Sequence, residues 1–307
     1  MKKVGIIGSG NVGANSAFFI AENRTASVTL VDIKEGLSVG KALDILEAGP
    51  IRRYDTDIRG ENSIEGIRDS DVVVLAAGRV RAPDQSRDEL YKDNAPLILH
   101  LCEDIKRLAP GAVVINVVEP VDMITLLAQK TLGFDRMRVL GVGGLLSTTR
   151  LRYLISNFLG VSSREVTGMV IGPHRPSMVF LQDTIRVSGI PADKLLPPEA
   201  MEAIIEEVRK AGDTILQMAQ RSTAYYAPSA AVAALVEAIV RDTRKILPVS
   251  IRLEGEYEVN GIAVSVPAQI GEKGAERVIP VRMSAREQKE FLAAANELCE
   301  SLNRVTC

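Results

Sequence analysis

The sequence predicts an α/β protein, with a doubly wound parallel sheet in the N-terminal half and an α+β half after it. Short, continuously apolar runs recur at 2–7, 27–31, 71–77, 112–118 and 138–142, separated by stretches of helical periodicity. Strands buried on both faces read this way, and crossover helices between them build a parallel sheet. Beyond residue 145 the pattern changes. Long helical segments at 198–220 and 228–242 precede short segments at 247–253, 256–259, 261–267 and 277–282, parted by turn residues. Those short segments read as antiparallel strands. The expected domains are 1–144 and 145–307.

Taken in order, Lys2 to Ile7 reads as a buried strand running straight into Gly8-Ser9-Gly10-Asn11-Val12-Gly13, with a helical pattern from Ala14 to Glu22. A second strand, Ser27 to Val31, ends in Asp32. This is a dinucleotide-binding fingerprint of the Rossmann type, in its required context of strand, turn, helix and second strand. Gly8 permits the tight turn, Gly10 lets the backbone approach a pyrophosphate, and Gly13 lets helix and strand pack closely. The helix N-terminus offers N–H groups and the positive end of its dipole to phosphate. Asp32 is placed to accept hydrogen bonds from ribose hydroxyls. Its charge repels a 2′-phosphate, so NAD is expected over NADP.

Helices follow at 36–47, 88–108 and 122–131. Right-handed crossovers put the strand C-termini on one edge, so the loops after Val31, Ala77, Val118 and Val142 converge on a cofactor cleft. In the second half a helix at 145–159 leads to a strand at 166–171, and an amphipathic helix at 284–303 closes the chain.

Composition excludes several classes of function. The chain has 307 residues, 46% apolar and 25% charged, with a net charge of −2. That balance offers no electrostatic basis for binding nucleic acid or an anionic membrane. Cys102, Cys299 and Cys307 have no metal-ligand spacing, so no metal site is expected, and the odd, sparse count argues for a reducing compartment. The apolar run before Gly8 is too short for a signal peptide, and no run reaches the ~18 residues of a membrane span. A cytoplasmic location is expected.

Three features carry chemistry. The loop Gly78 to Arg87 holds Arg79, Arg81 and Arg87 at the ligand edge of the sheet. Bidentate guanidinium groups there suit a carboxylate, and the glycine and proline of the loop suit a lid. His174, one of two histidines, follows strand 166–171 in Gly172-Pro173-His174-Arg175-Pro176. Hydride transfer from an alcohol needs a base for the hydroxyl proton, and histidine titrates near neutrality. His100 lies in a helical pattern and reads as structural. Arg150 lies on the first turns of the helix after Gly141-Val142-Gly143-Gly144 and is placed to hold a substrate carboxylate.

The order and spacing of these pieces resemble the lactate and malate dehydrogenase family, closest to the lactate-dehydrogenase-like bacterial malate dehydrogenases. Further matching pieces are Asn94, Glu119-Pro120-Val121-Asp122, Ser177-Met178-Val179 and Ala224-Tyr225-Tyr226-Ala227-Pro228, with Glu256-Tyr257 and Val266-Pro267 nearer the C-terminus. The resemblance implies NAD-dependent interconversion of a 2-hydroxy acid and a 2-oxo acid, malate and oxaloacetate first. It implies that Gly8, Ser9, Gly10, Asn11, Val12, Gly13 and Asp32 bind NAD. Asn94, Val117, Val118 and Glu119 would lie against the cofactor. Arg81 would select a second substrate carboxylate, Arg87 would polarise the reacting carbonyl, Arg150 would pair with the C1 carboxylate, and His174 would be the acid/base. A homodimer or homotetramer is implied.

Three departures fall in the active site. The family's Gly-x-Leu-Asp, whose Asp orients the histidine, is here Gly144-Leu145-Leu146-Ser147. Its Asn before the Pro-Val-Asp motif is Glu119, a substrate contact in the resemblance, and its Gly-His-Gly-Asp is Pro173-His174-Arg175-Pro176. In one reading the site is rewired: Glu119 supplies the carboxylate lost at Ser147, Arg175 offsets its charge, and Arg81, Arg87, Arg150 and Arg175 face a dianionic substrate. In a second, the chain is a diverged paralogue that binds NAD with weak or altered 2-oxo acid activity or a binding role. In a third, catalysis is ordinary but slower.

Overall fold

The computed structural model describes residues 1–82, 84–219 and 223–306. Pro83 of the arginine loop, Gln220 at the end of the expected helix 198–220, and Cys307 lie outside the described residues.

The first half alternates strand and helix as expected. Its elements are β1 (Lys3–Ile7), α1 (Asn11–Glu22), β2 (Ser27–Val31), α2 (Leu37–Arg52), β3 (Ile58–Glu61), β4 (Val72–Leu75), α3 (Arg87–Leu108), β5 (Val113–Asn116), α4 (Val121–Leu132) and β6 (Val139–Gly141). The second half comprises α5 (Gly143–Leu159), β7 (Val166–Thr167), β8 (Val170–Ile171), β9 (Val179–Phe180), β10 (Arg186–Val187) and β11 (Ile190–Pro191). It continues through α6 (Pro198–Ala219), α7 (Tyr226–Val240), β12 (Lys245–Glu254), β13 (Asn260–Gly271), β14 (Gly274–Val278) and α8 (Ala285–Thr306).

One nine-stranded sheet runs β14-β13-β12-β6-β5-β4-β1-β2-β3. The six strands from β6 to β3 are parallel, and β12 to β14 are antiparallel. The two parts join where Ser250 of β12 pairs with Gly141 of β6. Alternating residues of β4 show why its run is continuously apolar. Val72 and Val74 pack with Ala17 and Ile20 of α1 and Val232 and Val236 of α7. Val73 and Leu75 pack with Ile98 and Ile105 of α3, Met123 of α4 and Phe291 of α8. A strand covered on both faces has no position left for a polar residue.

Four expectations are corrected. The strand expected at 166–171 is broken into β7 and β8, because the Thr184 and Thr148 hydroxyls accept the Met169 and Val170 N–H groups, both at 2.9 Å, in place of a ladder partner. Residues 256–258 form a 3₁₀ turn rather than a strand. Gly255 turns the chain at φ +115°, and Arg136 fastens it to the Glu256 carboxylate at 2.6 Å. The strand expected at 277–282 ends at Val278, with Pro280, which has no N–H to donate, just beyond it. The helix expected at 36–47 continues to Arg52.

Two glycines set the approach of α1 to the sheet. Gly8 holds φ at +103°, and a Cβ there would lie 2.6 Å from the Ala77 backbone nitrogen. A Cβ on Gly13 would lie 1.8 Å from the Gly8 carbonyl oxygen, whereas one on Gly10 would meet nothing within 4 Å. Gly13→Ala therefore destabilises by about 1–3 kcal/mol, the cost of forcing atoms into a filled space, and Gly10→Ala by less than about 1 kcal/mol, as at a helix N-cap. Urea unfolding of the two variants side by side checks this; equal losses would contradict it.

Candidate active site

The C-terminal ends of β1, β4, β5 and β6 open on one cleft, whose far wall is α6. At the β1 end, the first helical bond of α1 runs from Ala14 N–H to Gly10 O at 2.9 Å, so the preceding N–H groups have no helical acceptor. The Asp32 carboxylate is held beside this turn, accepting the Ser9 N–H at 2.8 Å and the Lys34 N–H at 3.0 Å. Each oxygen keeps acceptor capacity for a hydroxyl. An open glycine face, unpaired N–H groups and a fixed carboxylate fit a dinucleotide, with Gly8 to Gly13 beneath its phosphates and Asp32 at its ribose.

Val117, Val118 and Glu119 line the cleft along the loop after β5. Asn94 is placed differently from the expectation. It is buried, and its amide accepts the Arg79 N–H at 2.7 Å and donates to the carbonyls of Arg79 at 3.2 Å and Glu119 at 2.8 Å. With those bonds made, the side chain ties two cleft loops together instead of facing the cleft.

The expected arginines converge. Arg87 begins α3, which Ser86 and Glu89 start with a capping box. Arg150, on α5, has a buried Nε without a partner among the described residues. Burial pushes its pKa down, opposed by the nearby charges of Glu119 and Asp213. Arg81 reaches across to α6 and pairs with Asp213. Sequence reasoning missed Asp213 and its neighbour Arg209, which also lines the cleft. The available signal was an Arg–Asp pair at i, i+4 beside Gly212, whose position faces the Arg150 guanidinium.

His174 lies at the cleft floor with its side chain 9% exposed. Its Nδ1 is 3.0 Å from the Ser147 hydroxyl, and its Nε2 is 3.4 Å from Glu119 Oε1. Its backbone N–H donates to Asp122 Oδ2 at 2.6 Å, while Asp122 Oδ1 accepts the Ser250 hydroxyl at 2.6 Å. Burial pushes the His174 pKa down to about 4; Glu119 opposes the shift, and Arg150 and Arg87 add to it. Burial likewise pushes Asp122 up to about 6, against its two hydrogen bonds.

Two parts of the rewiring expectation need correction. Glu119 meets Nε2, while the serine that stands for the lost aspartate holds Nδ1, so the carboxylate arrives from the opposite side of the ring. Arg175 does not offset Glu119. The turn at 173–177 aims its guanidinium at Ser301 and Met123, with Asp88 and Glu297 each 4.0 Å away. The charged groups lining the cleft are Arg79, Arg81, Arg87, Arg150 and Arg209 against Glu119 and Asp213, with Arg175 also on the lining but its guanidinium bonded to Ser301 and Met123.

Two family models match the chain. One, described as the lactate/malate dehydrogenase NAD-binding domain, covers residues 2–141, and another, the lactate/malate dehydrogenase α/β C-terminal domain, covers 145–306. A malate dehydrogenase of Methanosarcina acetivorans is 39% identical over 97% of this chain and 96% of its own length. A Cryptosporidium parvum malate dehydrogenase superposes with a TM-score of 0.97 at 30% identity, covering 99% of each chain. A Cryptosporidium parvum lactate dehydrogenase solved with lactic acid and nicotinamide adenine dinucleotide superposes with a TM-score of 0.95 at 31% identity, covering 99% of this chain and 98% of its own. Matched from end to end in sequence and fold, the chain belongs to the lactate/malate dehydrogenase family and is an NAD-dependent dehydrogenase.

Proposed function

We propose that the protein catalyses reversible hydride transfer between NAD and (S)-malate, with oxaloacetate as the oxidised partner. The observation that carries this reading is the convergence of His174 with Arg81, Arg87 and Arg150 at one end of the cleft. Bound NAD supplies the hydride acceptor. Residues 1–144 hold it through Gly8 to Gly13 and Asp32, and 145–307 carry the acid/base, with Arg81 and Arg87 reaching over from the first half.

Arg150 has a partly buried guanidinium whose Nε has no hydrogen-bond partner among the described residues, so a substrate C1 carboxylate relieves its burial with a bidentate pair. Arg81 receives the second carboxylate in exchange for Asp213. Arg87 draws charge onto the reacting oxygen, where a preorganised cation is worth most. His174 takes the hydroxyl proton on Nε2, since Nδ1 faces Ser147. In the resulting imidazolium, Nδ1–H donates to the Ser147 oxygen and Glu119 stabilises the charge from the Nε2 side. Serine orients the ring but adds no charge, which favours slower turnover than an aspartate would give.

Among the described residues no helix is long and apolar enough to cross a membrane. We place the enzyme in the cytoplasm because Cys102, its thiol pushed up to about 12 by burial, and the exposed Cys299 are both free. A homodimer or homotetramer is supported by the exposed Val39, Leu43, Leu46 and Ile51 along α2.

NADH oxidation with oxaloacetate, pyruvate and longer 2-oxo acids tests the reading, with oxaloacetate expected fastest. Absence of turnover with all of them sinks it, and equal use of NADPH contradicts the role given to Asp32. The pH profile tests the proton path. As a base His174 must be neutral, so kcat/KM for malate oxidation should stay level below the usual histidine value of about 6.5 and fall off near 4. Glu119→Gln removes the anion that holds this pKa up, so the limb moves further acid and turnover drops about tenfold or more. Ser147→Asp moves the limb up and speeds oxaloacetate reduction, which needs the charged ring. A limb at about 6.5 that neither change moves would refute the assignment.

A further inference from the structure

We propose that Arg175, Ser301 and Asp88 form a positioning relay, anchored on α8 through Ser301, that fixes His174 and Arg87 relative to each other. Each end of the relay is the chain neighbour of a residue at the reacting centre: Arg175 follows His174, and Asp88 follows Arg87. Between them stands the Ser301 hydroxyl, on a residue only 1% exposed. It accepts from Arg175 Nη1 at 3.1 Å and donates to Asp88 Oδ1 at 2.5 Å. Arg304, one helical turn on, donates to Ser301 at 3.1 Å and holds the other oxygen of Asp88 through Nε at 3.1 Å and Nη2 at 3.0 Å.

The relay accounts for the arginine that the family pattern leaves unexplained. A guanidinium buried as deeply as that of Arg175 is costly unless its charge and N–H groups are matched. Here the matching groups come from three helices: Met123 on α4, Asp88 on α3, and Ser301 with Glu297 on α8. Its pKa is pushed down by burial, with the negative charge of Asp122 opposing. The loop carrying the acid/base and the helix start carrying the polarising arginine are thereby pinned to one rigid rod. Misplacing a reacting group by about 1 Å costs about a hundredfold in rate, so a shared anchor for the two residues bears on turnover.

The inference rests on the roles proposed for His174 and Arg87, and its test separates the two. Wild-type turnover of oxaloacetate decides the functional reading by itself. For the relay, Asp88→Asn and Arg175→Met are combined in a double-mutant cycle. Each single change lowers kcat about tenfold at unchanged KM for NADH, and the double variant is no slower than the worse single, as expected when two residues act through one network. Multiplying losses, or a parallel rise in KM for NADH, overturn it. Ser301→Ala gives a readout independent of activity and of the two charged variants. Amide hydrogen exchange should quicken together in 87–91 and 172–178, and Ser301→Thr, which keeps the hydroxyl, should restore it. Faster exchange confined to α8 overturns the relay.

Discussion

One buried carboxylate holds the catalytic end of the molecule together. Asp122 lies in the first turn of α4, yet its two oxygens are spent elsewhere, one on the His174 backbone N–H and the other on the Ser250 hydroxyl of β12. Ser250 is also the residue that pairs with Gly141 and joins the antiparallel strands to the parallel ones. A single side chain therefore ties the Glu119 loop, the histidine loop and the seam of the sheet. Leaving such bonds unmade inside a protein costs about 1–3 kcal/mol per group, and these would also release the imidazole from its place. The neighbouring Ser265 reinforces the arrangement. It pairs with Gly172 ahead of the histidine, and its hydroxyl accepts the Gly144 N–H at 2.9 Å at the start of α5.

Around that fixed point the electrostatics have been redistributed. The imidazole has a neutral hydroxyl at one nitrogen and an anionic carboxylate 3.4 Å from the other. Burial and two arginines favour the neutral ring, and Glu119 favours the charged one. The balance suits a base waiting for a hydroxyl proton better than an acid waiting to give one. On α6, Asp213 pairs with Arg81 and so offsets one of the cleft's positive charges.

Much of this was legible in the sequence because burial on both faces leaves a plain trace. The apolar runs located β1, β2, β4, β5 and β6, and the glycine turn with Asp32 located the cofactor end. The edge strand β3, Ile-Arg-Gly-Glu, was not legible, because a strand with one neighbour carries no such run. Asp213 and Arg209 were hidden because their place depends on how α6 packs across the cleft, and no local pattern encodes that. The direction of Arg175 is hidden for a related reason. Adjacency to His174 along the chain says nothing about side-chain direction, which a turn decides. Glu119 was correctly brought to the histidine, but the nitrogen it would meet depended on ring orientation, which Ser147 sets.

Asn94 has a wider consequence. It clamps the arginine loop at Arg79, and the Ser86–Glu89 capping box clamps it again where α3 begins. Arg81 lies between the two clamps and is held instead by Asp213 of α6. Arg87 stands beyond the second clamp, on the helix. In the proposed roles, the residue that selects substrate thus lies between the clamps and the residue that polarises the carbonyl lies on the frame. Under the roles proposed above, a change at Arg81 alters specificity while the frame that sets Arg87 is left in place.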